Sequence, residues 1–191
     1  MKTNYKNIYL RTKQMLTQPA IAWPEVLQED FSVRDTFRNY LFPIAIWISV
    51  IVFLLSLIQY SSLQAVGVGM VNLISTISGA WLTYLIIREY LCSKLNYRNK
   101  EALNLTVYSY AVFIIFHSIG AALGTIFIGQ LFTLLSFIFL RTLYAGIGQL
   151  PHLPSGQKTN ILIITSLAII CIPVIITQLL MIVFRISAIT V

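Results

Sequence analysis

NYLFPIAIWISVIVFLLSLIQYSSLQAVGVGMVNLISTISGAWLTYLII, residues Asn39–Ile87, is a run of 49 residues without a charge. A second such run, Ala102–Leu140, has 39 residues, and a third covers Thr159–Phe184. One helical crossing of a bilayer takes about 20 apolar residues, so the first two runs hold two spans each and the third holds one. The sequence therefore predicts an all-α fold, an integral membrane bundle of five transmembrane helices, with spans at 41–59, 63–87, 103–127, 130–147 and 159–184. Composition agrees from a separate direction. With 58% hydrophobic and 10% charged residues and a mean hydropathy of +0.82, the chain is more apolar than a soluble domain of its length. Two parts are expected: an amino-terminal cytoplasmic segment, 1–40, too short for a large autonomous core, and the five-span domain, 41–191. The first apolar run starts far from Met1 and a complete second span follows it, so no cleaved signal peptide is expected.

The amino-terminal segment reads as amphipathic, interfacial helix. Ile8, Met15 and Leu16 share one face while Lys6, Arg11 and Lys13 occupy the rest, a pattern suited to lying on anionic lipid. Gln18-Pro19 ends that helix. Trp23-Pro24 starts a second, with Pro24 at its first position and Glu25, Glu29 and Asp30 at its positive end. Ser32-Val-Arg-Asp35 is a capping box that opens a third helix, which runs toward the first span and is either kinked or broken by Pro43. Later punctuation comes from Tyr60-Ser-Ser62, the charged loop Arg88–Glu101, a tight turn near Gly129-Gln130, and Pro151-His-Leu-Pro154. Pro173 predicts a kink in the fifth span. Cys92 falls in a polar loop and Cys171 inside the fifth span, so no disulfide is expected.

Basic residues near spans stay on the cytoplasmic side. Lys2, Lys6, Arg11, Lys13, Arg34, Arg38, Arg88, Lys94, Arg98, Lys100 and Lys158 fall on one side, and only Arg185 on the other. This bias puts the amino terminus in the cytoplasm and the carboxyl end outside. The net charge of +7 thus describes a cytoplasmic face that attracts anionic headgroups. These cations are scattered through juxtamembrane loops without a stacking platform, which argues against nucleic-acid binding.

Polar residues inside the spans are the candidate sites. Arg141 is the one charge within a span; its guanidinium must reach water, lipid phosphate or a carboxylate. It is either a headgroup or substrate anchor beside Tyr144 or Glu101, or a snorkelling side chain bonded to a loop acid. His117 falls near the middle of span three, where it is either a proton relay or metal ligand, or a hydrogen-bonded core histidine; His152 belongs to a loop. Asn72 and Gln178 suit interhelical hydrogen bonds. Gly120-Ala-Ala-Leu-Gly124 is a GxxxG ridge, and Ser75–Gly79 a similar stripe, for packing within the bundle or against a second copy. Gly67-Val-Gly69-Met-Val-Asn72 lacks the last glycine and preceding strand of a phosphate loop. No HExxH, paired aspartate or GxSxG occurs, and every acid lies outside the spans, so neither an enzyme nor a cofactor is expected.

The order of several short motifs resembles the Yip-domain family, small five-span proteins with a cytoplasmic amino terminus. Pro19-Ala-Ile-Ala-Trp23 with Glu29 following, then Tyr40-Leu-Phe-Pro43 before the first span, is similar to the prokaryotic members. Tyr108-Ser109 and Leu143-Tyr144-Ala-Gly146 resemble two further signatures. The chain departs from the family where Val112 replaces a proline, and it lacks the Asp-Leu-x-Gly-Pro pattern of the eukaryotic branch, whose members bind prenylated GTPases. The resemblance implies a five-span protein of a prokaryotic cytoplasmic membrane; with the missing catalytic motifs and the basic cytoplasmic face, the expectation is a non-enzymatic scaffold that organises lipid or recruits a protein partner, with homo-oligomers open. Trp23, Tyr40, Pro43 and Arg141 are the residues most expected to matter. The alternative is a small-solute transporter or channel subunit, with a polar path around Asn72, His117 and Arg141.

Overall fold

The computed structural model describes residues 5–28, 31–95, 97–124, 127–151, 153 and 155–186, so Glu29, Asp30, His152 and Pro154 lie outside the described residues. Helix makes up 90% of the structure, with no strand among the described residues, as the sequence predicts. Two short helices, α1 (Tyr5–Thr17) and α2 (Pro19–Gln28), precede α3 (Val33–Ser56), α4 (Ser62–Lys94), α5 (Asn99–Leu123), α6 (Phe127–Gly148) and α7 (Ser155–Val183). Those last five are long and apolar enough to cross a membrane. Ser32 starts α3 as its motif predicts: its hydroxyl accepts from the Asp35 N–H at 3.1 Å and donates to the Asp35 carboxylate at 2.6 Å. Ser61 does the same for α4 through Gln64.

Neighbouring long helices run antiparallel. Asn72 of α4 bonds Ser49 of α3, while Trp81 packs on Phe37 at the other end of the pair. Phe113 of α5 packs on Phe139 of α6, and Gly79 of α4 faces Pro173 of α7. The central element is α5: 72% of its most apolar window is buried, against 11% for α7, which closes the bundle from outside. Antiparallel packing gathers the ends of α3, α4 and α5 bearing Arg34, Arg38, Arg88 and Arg98 at one end of the bundle, where α1 and α2 also dock.

Several boundaries differ from expectation, each for a local reason. The second short helix begins at Pro19, with the Gln18 carbonyl accepting its first bonds, and Pro24 is interior; Pro24 and Ala20, whose carbonyl loses its partner, are both exposed. The first long helix starts at Val33 and neither stops nor breaks at Pro43. A π turn over Phe37–Leu41, with the Phe42 N–H bonded to the Phe37 carbonyl, widens the backbone just before the proline, where a regular turn would press its ring on the carbonyl four residues back. A second π turn, Tyr90–Lys94, prolongs α4, so much of the expected charged loop is helix. The turn between α5 and α6 falls at Gly124, whose φ of +62° suits glycine, whereas Gly129 is helical and buried.

The amino-terminal segment also differs from a helix resting on lipid. Met15, Ala22, Trp23 and Val26 belong to the same buried cluster as the long helices. The apolar face that helical spacing assigns to a membrane surface is covered by protein.

Candidate functional site

Residues 19, 22, 23 and 26 of α2 repeat at the spacing of one helix face, and all four are buried. Trp23 is their anchor. Its indole N–H donates to the Thr142 carbonyl of α6 at 2.7 Å. Its ring meets Tyr108 of α5 edge-on at 6.1 Å, and Tyr108 in turn lies 4.5 Å from the ring of Tyr40. The Tyr40 hydroxyl is 3.2 Å from that of Thr12 on α1. Gly146 makes room for this arrangement, since a Cβ there would lie 2.6 Å from two carbons of the indole and 2.9 Å from Leu105. Trp23, Tyr40, Tyr108 and Gly146, four positions from separate motifs, thus form one clasp.

Polar side chains of the long helices complete it by serving helix ends that a docked strap would otherwise leave bare. Thr142 donates its hydroxyl to the Met15 carbonyl at 3.0 Å, Arg141 reaches the Thr17 carbonyl at 3.4 Å, and Asn104 donates to the Val26 carbonyl at 3.2 Å. An ion pair of 3.2 Å between Arg11 and Glu25 ties α1 to α2. Beside the clasp is a cleft of about 310 Å³ lined by Arg11, Gln14, Asp35, Asn39, Tyr40 and Tyr108.

Arg141 therefore pairs with neither of the residues expected beside it. Glu101 pairs with Arg98 at 2.7 Å, and Tyr144 is exposed. Arg141 instead brings positive charge to the carboxyl end of α1, where the helix dipole favours it. Pro43 follows the π turn and is buried. His117 is stacked on Phe113 with ring centres 4.8 Å apart, and no group of three or more His, Cys, Asp or Glu suited to a metal occurs among the described residues. Gly120 faces Gly129 and Thr133 of α6, so the GxxxG ridge packs inside the chain. Gly124 faces Gln59, whose side-chain amide donates to the Leu123 carbonyl at 2.8 Å. Asn72 donates to Ser49 at 3.0 Å, an interhelical bond of the expected kind, and Gln178 is exposed.

Tyr97 ties the α4–α5 connection to the segment after α6 by donating to the Pro151 carbonyl at 2.6 Å. Burial, and then the Glu101 carboxylate, push its pKa up and keep that donor protonated. Sequence reasoning misses Thr142, Asn104 and Gln59 as capping groups. The available signal was a polar residue in an apolar helix, which names a donor without naming its acceptor. None of the protein-family models, curated proteins or solved structures compared with this chain matches it.

Proposed function

We propose that this chain is a multi-pass integral membrane protein of the Yip-domain kind, resident in a prokaryotic cytoplasmic membrane, with its amino terminus in the cytoplasm and its carboxyl end outside. It acts without catalysis, as a scaffold that organises anionic lipid or recruits a protein partner on its cytoplasmic face. Five apolar helices and the eleven-to-one distribution of basic residues support the membrane placement. The observation that carries the scaffold reading is the clasp. It docks α1 and α2 on the bundle through buried side chains and hydrogen bonds, which favours one presentation of the outer face of α1, with Tyr9 65% exposed and Leu10 beside it. A rigid platform lowers the ordering cost of binding.

Deleting residues 1–40 is a poor test, because it empties core positions as well as the surface. Tyr9→Ser with Leu10→Ser leaves the clasp intact. Proximity labelling from native membranes with the full chain is expected to lose partners in that double variant, and an unchanged profile overturns the scaffold reading. A tag after Val191 accessible from the same side as one before Met1 overturns the topology. The transport reading has less support, since the polar groups it gathers go to different partners: Asn72 to Ser49, His117 to Phe113 and Arg141 to Thr17.

A further inference from the structure

Beside the first three turns of α3, on the flank away from the clasp, an open groove of about 650 Å³ runs between α3 and α4. Its walls are apolar and aromatic: Phe37, Phe42, Ile77 and Trp81, with Arg34 and Arg38 on the α3 side. The π turn builds it. Phe37 and Phe42 are five residues apart, and the bond from the Phe42 N–H to the Phe37 carbonyl turns both toward one groove. Phe37 holds Trp81 edge-on at 5.4 Å, Tyr84 backs both rings at 5.8 Å and 6.3 Å, and Arg88 lies over the Tyr84 ring at 5.9 Å. The groove opens sideways, with Phe42 46% and Trp81 45% exposed.

Charge selects the occupant. Arg34 and Arg38 are one helical turn apart and both are exposed. Among the described residues no hydrogen bond or ion pair engages either side chain, while the neighbouring Asp35 is held by Ser32. Elsewhere at this end of the bundle, Arg11 is paired with Glu25 and Arg98 with Glu101. Two unpaired guanidinium forks above an apolar trough match a phosphodiester above an acyl chain. A tryptophan and a tyrosine beside them mark headgroup depth.

We propose that this groove seats one anionic phospholipid, its phosphate held by Arg34 and Arg38 and one acyl chain lying along Phe42, Ile77 and Trp81. The proposal rests on the membrane reading above and makes the lipid a resident partner of the cytoplasmic face. Its occupancy stiffens the start of α3, on which Tyr40 and hence the clasp depend.

The test uses the full chain with Trp47→Phe, in which Trp23 is buried and Trp81 reports. The protein is reconstituted in phosphatidylcholine bilayers carrying small amounts of acyl-brominated phosphatidylglycerol or acyl-brominated phosphatidylcholine. Saturable quenching of Trp81 by the brominated phosphatidylglycerol, at least ten-fold more effective than by its phosphatidylcholine counterpart, is the expected result. Unlabelled phosphatidylglycerol should reverse it and inorganic phosphate should not. Arg34→Gln with Arg38→Gln should abolish the preference while leaving the melting temperature without added lipid unchanged. Arg34→Lys with Arg38→Lys, which keeps the charge and the fold but loses the fork, should weaken the preference several-fold. Equal quenching by both lipids, reversal by phosphate, or a second copy of the chain shielding Trp81 in lipid-free detergent overturns the proposal. Failure to float with liposomes at all overturns the membrane reading instead.

Discussion

Trp23→Ala with Gly146→Ala tests the clasp as a unit. Removing a fully buried tryptophan costs about 3–5 kcal/mol, so Trp23→Ala should raise the undocked-to-docked ratio of α1–α2 by roughly two to three and a half powers of ten. Gly146→Ala alone sets a Cβ 2.6 Å from the indole carbons, and the ring cannot slide away because its N–H is held by the Thr142 carbonyl at 2.7 Å. Overpacking of this kind costs about 1–3 kcal/mol. Once Trp23 is alanine, the two nearest atoms to the new methyl are gone and the next is the flexible end of Leu105, so replacing a helical glycine becomes neutral or gains up to about 1 kcal/mol. The two effects are therefore strongly non-additive. The readout is maleimide labelling of Ala22→Cys or Met15→Cys, both buried, with Cys92 and Cys171 changed to serine. Where opening is fast relative to labelling, the rate follows the open fraction. Both probes should accelerate together in Trp23→Ala, and adding Gly146→Ala should not accelerate them further. Unchanged labelling in Trp23→Ala, or costs that simply sum, refutes the clasp.

Gly124→Ala combines a φ of +62° with a methyl 2.7 Å from Gln59; strain alone costs about 1–3 kcal/mol. Its melting temperature in detergent should fall clearly, while Gly148→Ala, with nothing within 4 Å of the added carbon, should leave it unchanged or higher. A double-mutant cycle on Asn72 and Ser49 should return about 0.6 kcal/mol, typical of interhelical hydrogen bonds in membranes; zero coupling by reversible unfolding removes the bond from the account. Thr142→Val keeps the side-chain volume but strips the Met15 carbonyl of its donor, at about 1–3 kcal/mol for a buried unpaired group. Labelling of Ala22→Cys should rise, though less than in Trp23→Ala. His117→Phe preserves the stack on Phe113 and should leave the melting temperature unchanged, measured with and without added zinc.

What the residues alone reveal divides by range. The five apolar helices follow from length and the missing charges, and the start of α3 from Ser32 and Asp35, because each depends only on neighbours in sequence. The docking of α1 and α2 does not. Trp23 finds its acceptor 119 positions later, and an apolar face covered by protein has the same helical spacing as one covered by lipid. Proline misleads for a similar reason. Pro19 and Pro24 are both plausible first residues of a helix, and the burial of Pro19 and Ala22 beside Trp23 decides between them. The Gly129-Gln130 turn fails because two glycines compete for it: Gly129 is needed where α6 crosses Gly120, leaving Gly124 to reverse the chain.

The clasp also gives a role to three polar residues of the long helices, Asn104, Arg141 and Thr142. A short helix docked against a bundle brings its free carbonyls into surroundings where water is scarce, and each one left unpaired costs free energy. The chain meets that cost with buried donors from the long helices, Thr142 for the end of α1 and Asn104 for α2, and Arg141 adds an exposed contact to the Thr17 carbonyl. A solute path needs polar groups facing one another across a shared space; these three face the ends of a strap. Arg141 stands about 10 Å from the end of its helix at 1.5 Å per residue. That is where α1 ends against α6. An arginine that looks like a binding site in sequence acts here as a cap, whereas Arg34 and Arg38, which read as ordinary juxtamembrane charges, are left with their forks open beside an apolar groove.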